Sequence, residues 1–229
     1  MAIRTLLFDL DGTLADTDPL HFAAFVAALE PHGIAIDQTF FKTAISGRSN
    51  EAICRDLFPA ASSAEHDRFA ADKEAAFRRA SGGLTAVAGL HALLETAHGR
   101  GLRTGLVTNA PVANVRHVLE LLGLAGTFDP LVLGEELPRS KPDPLPYRTA
   151  LQALDLRPEE ALVFEDSHPG IQAAKAAGIL TVGLTTTLTP GALRDAGADA
   201  TIADFQDPVV AALIARGRAA LGDAGLLPD

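Results

Sequence analysis

The sequence contains no tryptophan, and only one residue each of cysteine, methionine and tyrosine. With Cys54 as the only thiol, no internal disulfide can form, which suits a reducing compartment. No catalytic-cysteine pattern surrounds Cys54, so it reads as a buried, inert thiol. Basic residues are also scarce. Lys and Arg total 19 against 29 Asp and Glu, a formal net charge of −10. No Lys/Arg-dense stretch exists, so the basic face that nucleic acid requires is missing, and an anionic membrane surface is disfavoured in the same way. No run approaches the ~18 apolar residues of a membrane-spanning helix. The opening MAIRTLLFDLDG meets acids too soon for a signal peptide. The expectation is a soluble, cytoplasmic protein, monomeric or weakly dimeric, whose partner is a small molecule. An anionic ligand would need a local positive site, such as a metal ion.

Apolar residues make up 48% of the chain and charged residues 21%, enough for a real core. Short apolar runs at 5–10, 103–108, 130–133, 161–165, 180–184 and 200–203 read as buried strands. Helical stretches lie between them. In 112–122, Val115, Val118, Leu119 and Leu122 share a face, and Gly123 follows as a stop. Stretches 147–154 and 171–177 are similar, the second closed by Gly178. This alternation predicts an α/β fold: a doubly wound parallel sheet covered on both faces. Ligands in such sheets sit at the carboxyl ends of the strands. The alanine-rich C-terminus predicts a helix with a frayed tail.

One segment breaks the pattern. From about residue 17 to 79 the periodicity is helical throughout. Thr17 or Asp18 can cap a helix whose first turn holds Pro19, with Phe22, Phe25, Val26 and Leu29 on one face. Further helices fit 51–57 and 64–79. Ser81-Gly82-Gly83 resembles a hinge, and the chain is expected to return to the sheet near Gly89. The predicted organisation is a catalytic core of 1–16 and 86–229, with an inserted helical cap of 17–85.

The first strand ends in Asp9-Leu10-Asp11-Gly12-Thr13. Strand alternation predicts that Asp9 and Asp11 face the same way at the ligand edge, where Gly12 permits a tight turn. Two such carboxylates are costly together unless a cation or proton sits between them. The second strand ends in Val107-Thr108-Asn109. Lys141 precedes Pro142 and Pro144, where no regular helix can run. The fourth strand ends in Phe164-Glu165-Asp166-Ser167. Singly, each feature has an ordinary structural explanation: a solvated turn, a strand former, a surface charge, a helix cap. Together, they place a phosphate or metal ligand at one strand end after another.

These motifs resemble those of the haloacid dehalogenase superfamily in its phosphatase branch. The family's DxDGT, Ser/Thr, Lys and acidic pair read here as DLDGT, TN, KPDP and EDS. The segments DTDPLHF and GRSNEAI are similar to the subgroup holding β-phosphoglucomutase and phosphoglycolate phosphatase. The resemblance implies that Asp9 is the nucleophile of a magnesium-dependent phosphohydrolase and forms an aspartyl-phosphate. Asp11 would then be the general acid and base. Asp9, the backbone carbonyl of Asp11 and Asp166 would hold Mg²⁺, with Glu165 binding through water or orienting the site. Thr108 and the Asn109 backbone N–H would donate to phosphate, and Lys141 would neutralise charge. In the cap, His21 resembles a residue that reaches toward the acid/base aspartate. Arg48 and Lys73 are candidate substrate contacts.

The sequence leaves the substrate class between sugar phosphate and phosphoglycolate-like esters. A phosphomutase is the nearest alternative, but Asn50 stands where the mutase resemblance wants an Arg. A dehalogenase needs neither Asp11 nor Asp166. A phospho-acceptor signalling module, the non-enzymatic alternative, would end its first strand in the acidic pair, carry its acceptor Asp later and have no cap, so the order here is wrong for it.

Overall fold

The six apolar runs form one all-parallel sheet in the computed structural model, which describes residues 2–223. The strands are β1 (Thr5–Phe8), β2 (Arg103–Thr108), β3 (Leu131–Leu133), β4 (Ala161–Glu165), β5 (Leu180–Leu184) and β6 (Ala200–Ile202). Their spatial order is β3-β2-β1-β4-β5-β6. Thr5 pairs in register with Arg103 on one side and Ala161 on the other. The chain therefore winds outward from β1 twice, and the switch point lies at the carboxyl end of β1.

Alternation along β1 divides the core. Leu6 and Phe8 join the larger cluster with Leu106, Leu162 and Phe164. Leu7 points the opposite way, to Val107, Val163 and Tyr147. Phe8 and Phe164 stack with centroids 5.1 Å apart, and Phe205 meets Phe8 edge-on. Burying each such ring contributes about 2–3 kcal/mol, which makes β1 a rigid base for whatever follows Phe8.

The helical segment contains α1 (Asp18–Leu29), α2 (Gln38–Phe40) running into a π-helical turn at Phe41–Ile45, α3 (Asn50–Leu57) and α4 (Ser63–Ala80). It carries its own apolar cluster of Phe25, Leu29, Phe41, Ile45, Ile53, Cys54 and Phe69. The core helices are α5 (Leu90–Gly99), α6 (Val112–Leu121), α7 (Leu145–Leu154), α8 (His168–Ala176), α9 (Pro190–Asp195), α10 (Pro208–Arg216) and α11 (Ala219–Asp223). The expected frayed tail beyond 223 lies outside the described residues. The two chain passages between sheet and helical segment run together, bridged at Ala15 and Ala86, with the Val87 N–H donating to the Leu14 carbonyl at 2.9 Å.

Several details differ from the expectations. Strand β1 stops at Phe8, so Asp11 lies beyond the strand, next to the turn at Gly12, and not on a strand face. Helix α5 follows Gly89, and the chain re-enters the sheet only at Arg103. Helix α8 begins at His168 because the Ser167 hydroxyl accepts from the Gly170 N–H and Pro169 suits a first turn. Thr17 occupies the N-cap position of α1 without capping it, since its hydroxyl is donated to Asp11. Val26 is exposed rather than packed with Phe25 and Leu29.

Candidate active site

Asp9 follows β1 directly, and its backbone N–H still donates to the Phe164 carbonyl. Asp9 as a whole is 8% exposed. The Lys141 ammonium donates to Asp9 Oδ1, Glu165 Oε1 and the Val107 carbonyl, each at 2.6 Å. Three protons meet three acceptors, so Lys141 is fully satisfied while buried. Asn109 holds the segment that carries it. Its side-chain oxygen accepts from the Lys141 N–H, and its amide donates to the carbonyls of Lys141 and Gly47. Asn109 thus ties the Lys141 loop to the helical segment.

Glu165 is completely buried, and both its oxygens are engaged. Oε1 accepts from Lys141 and from the Tyr147 hydroxyl at 3.1 Å. Oε2 accepts from the N–H groups of Asp166 and Ser167 and from the Ser167 hydroxyl. Gly170 makes room for it: a Cβ there would fall 1.7 Å from Glu165 Oε1. Asp166 accepts from Thr13 at Oδ1 and Thr187 at Oδ2. Gly12, at φ +74°, passes so close that a Cβ would lie 2.1 Å from Asp166 Oδ2.

One carboxylate oxygen from each of Asp9, Glu165 and Asp166 lies within 4.8 Å of the other two. Burial, with Glu165 and Asp11 nearby, raises Asp9 to about 8 against the pull of Lys141. Burial and the adjoining carboxylates also raise Asp166 well above its ordinary value. Three buried acids share one ammonium, an imbalance that a hard divalent cation would offset. The donor set fits such an ion, all oxygen and no sulfur or imidazole.

Asp11 lies in the same cavity as Asp9. Its Oδ1 accepts from the Thr17 hydroxyl at 2.8 Å and lies 3.3 Å from His21 Nε2. Burial pushes this carboxyl up, but His21, Thr17 and Lys73 outweigh burial and hold it below the ordinary value. His21 is fixed by stacking on Phe77, with centroids 3.9 Å apart. Its other nitrogen lies 4.0 Å from Glu74. Thr108 is buried at the end of β2 and accepts from the Ala110 N–H.

The cavity, with the open solvent at its mouth included, spans about 580 Å³. It runs from Asp9, Asp11 and Thr108 past His21 to Lys73, Glu74, Asn50 and Asn114. All the candidate residues from Asp9 to Lys141 thus converge, while two cap candidates are differently employed. Arg48 borders the cavity, but its guanidinium donates to the Ala44 and Ala52 carbonyls and to Asp56 at 2.7 Å. Lys73 is buried against Glu74. Sequence reasoning missed Thr17, Glu74, Asn114, Tyr147 and Thr187. For Thr187 a signal existed, since it follows the fifth strand as Thr108 ends the second.

The fold and this acidic strand-end site define a haloacid dehalogenase-like phosphatase. The model of the family described as haloacid dehalogenase-like hydrolase matches residues 6–184, and the chain belongs to that family. It is 34% identical to the validoxylamine A 7'-phosphate phosphatase of Streptomyces hygroscopicus subsp. limoneus, over 84% of this chain and 91% of that one. It is 31% identical to a phosphorylated carbohydrates phosphatase of Thermotoga maritima, over 87% and 94%. Among solved structures, it resembles the β-phosphoglucomutase of Clostridium difficile, with a TM-score of 0.80 and 25% identity over 90% and 93% of the two chains.

Proposed function

We propose that this enzyme hydrolyses a small phosphomonoester with the help of Mg²⁺, by way of an aspartyl-phosphate on Asp9. The observation that carries the reading is Asp9 itself: a buried carboxylate at the switch point, in contact with Lys141 and sharing a cavity with Asp11. In the first step a carboxylate oxygen of Asp9 attacks phosphorus, and the bond from phosphorus to the ester oxygen breaks. The departing oxygen takes a proton from Asp11. In the second step Asp11 takes a proton from water as that water attacks phosphorus. The bond to Asp9 then breaks, and inorganic phosphate leaves.

Thr17 and His21 both meet Asp11 at Oδ1, so in this reading Oδ2 exchanges the proton. His21, Thr17 and Lys73 hold Asp11 low, and an arriving phosphate raises it, since like charge favours the neutral form. A phosphomonoester can also bring the proton, its second ionisation lying near ~6. Thr108 and the Asn109 N–H donate to phosphate oxygens, and Lys141 screens the charge that builds between phosphate and Asp9. Asp9, Asp166 and the Asp11 carbonyl would hold Mg²⁺, which when bound supplies charge neutralisation and orients the phosphate. Glu165 orients Lys141. Residues 17–85 act as the cap, closing over the leaving group.

The direct test follows phosphate release. Excess chelator is expected to abolish turnover and Mg²⁺ to restore it. Ca²⁺ should bind yet support little turnover, because its larger, looser coordination suits in-line attack poorly. Asp166→Ala should weaken Mg²⁺ affinity. Full activity in excess chelator would refute the metal assignment.

His21→Ala is expected to lower kcat by about 10–100-fold, a part of what general acid–base catalysis supplies, while Mg²⁺ affinity stays unchanged. His21 helps to hold Asp11 low, so its loss raises Asp11 and moves the acid limb of the kcat profile to higher pH. An unmoved profile with a normal kcat would remove His21 from this role.

A mutase would return the phosphoryl group to a second hydroxyl. With β-glucose 1-phosphate and a trace of bisphosphate, the expected product is free phosphate. Efficient isomerisation without phosphate release would establish the mutase instead.

A further inference from the structure

The reaction above leaves unused a buried cluster in the same cavity, across His21 from Asp11. Glu74 is 5% exposed. Its Oε1 accepts from Lys73 at 2.5 Å and from the Asn50 amide at 2.8 Å; its Oε2 accepts from the Asn114 amide at 2.6 Å. Asn114 is anchored in turn by Arg78, which donates to its side-chain oxygen. The cluster therefore joins α3, α4 and α6, from cap to core.

From this arrangement we infer that Glu74 is a specificity residue. It would accept hydroxyl groups of the leaving group and exclude a second anionic group, so that the substrate is the monophosphate of a neutral, polyhydroxylated alcohol. The inference rests on the phosphatase reading. Both cations that border this part of the cavity are committed to carboxylates, Lys73 to Glu74 and Arg48 to Asp56. Lys73 is also held 4.3 Å above the Phe25 ring. Asp18 adds a further acid to the lining. Burial pushes Glu74 up, but Lys73, His21 and Asn50 prevail and hold it below the ordinary carboxylate value. An ionised carboxylate only accepts hydrogen bonds. A hydroxyl can donate to it, whereas a carboxylate or second phosphate meets a like charge. The neighbouring amides of Asn50 and Asn114 suit hydroxyls as well, and the walls of Phe25, Phe41 and Ile53 suit the apolar faces of a ring.

The test compares four esters with the full chain and Mg²⁺: a hexose 6-phosphate, phosphoglycolate, a hexose 1,6-bisphosphate, and p-nitrophenyl phosphate as a generic reporter. Wild-type kcat/KM for the hexose 6-phosphate is expected to exceed that for both doubly anionic esters by at least ~100-fold, the scale of a buried like-charge mismatch. Glu74→Gln, which leaves Lys73 uncompensated, should shrink that ratio by about 10-fold or more by improving the anionic esters, and Glu74→Asp should keep most of it. Asn50→Arg places a cation beside Glu74 and should improve the bisphosphate; it provides a second reading if Glu74→Gln fails to melt cooperatively. Wild-type preference for phosphoglycolate or the bisphosphate would overturn the inference while leaving the phosphatase intact. So would an unchanged ratio in both folded variants. No hydrolysis of any ester, the reporter included, would instead defeat the phosphatase reading.

Discussion

Asp9→Asn is expected to slow phosphate release by about 10³-fold or more, because the amide keeps the size of the carboxylate but cannot attack phosphorus. Stability should move the other way in metal-free protein. Asp9 is raised to about 8 in the fold, against ~3.9 in an unfolded chain. Between those values the folded state binds a proton that the unfolded state does not, so wild-type stability falls as pH rises, by up to about 1.4 kcal/mol per unit. The Asn variant has no such proton and should lose that slope. Thermal melts in chelator from pH 5 to 8, alongside single-turnover assays with Mg²⁺, read both effects. A folded Asp9→Asn enzyme with near-normal turnover would rule out the aspartyl-phosphate. Parallel stability slopes in the two proteins would rule out the raised Asp9.

Lys141→Ala should damage both turnover and stability, for one reason. Among the described residues, the Lys141 ammonium is the one cation paired with both Asp9 and Glu165, and its side chain is 1% exposed. Its loss strands two buried carboxylates, and breaking a buried pair costs about 3–5 kcal/mol. For a chain of this size that lowers Tm on the order of 10 °C. Turnover should fall by a further 10²–10³-fold, roughly 3–4 kcal/mol of lost transition-state stabilisation. Lys141→Arg should rescue neither. Asp9, Glu165 and the Val107 carbonyl surround a single nitrogen at 2.6 Å, a geometry that a planar fork does not match. Mg²⁺ should restore part of the stability, by replacing some of the missing charge, but not the rate. A folded Lys141→Ala enzyme within fivefold of wild-type turnover would reduce Lys141 to a structural role.

Much of the core was legible in the sequence. The six apolar runs became six parallel strands, and Asp9, Thr108 and Glu165-Asp166 fell at three carboxyl ends. That follows from the architecture, because strands buried on both faces must be apolar until they reach the sheet edge. The first polar residues after each run are therefore the edge residues. Lys141 was legible only through its place in the motif order. Nothing local distinguishes it from a surface lysine, and its burial depends on Asp9 and Glu165, 132 and 24 residues away.

The helical segment was legible as helix and opaque as chemistry. Helical periodicity located α1, α3 and α4, but a helix offers polar residues on every side. Which of them meets the cavity depends on packing against α6 and the sheet. Arg48 and Lys73 illustrate this. Both are cations near the expected place, yet one is drawn to Asp56 and the other to Glu74. Likewise Thr17 suits a helix cap in sequence but donates to Asp11 in the fold.

By itself, then, the sequence determined the parallel α/β core and the order of the chemical groups along it. These depend on hydrophobic period and strand ends, which are properties of short stretches of chain. Only the tertiary structure decided that Glu165 is bound to Lys141, that Asp11 is held through one oxygen by Thr17 and His21, and that Glu74 is tied to Lys73, Asn50 and Asn114 at the cavity wall. Each of those rests on contacts across the fold, such as Glu74 with Asn114, 40 residues apart. Such contacts exist only once the apolar faces have packed and set the distances between the elements.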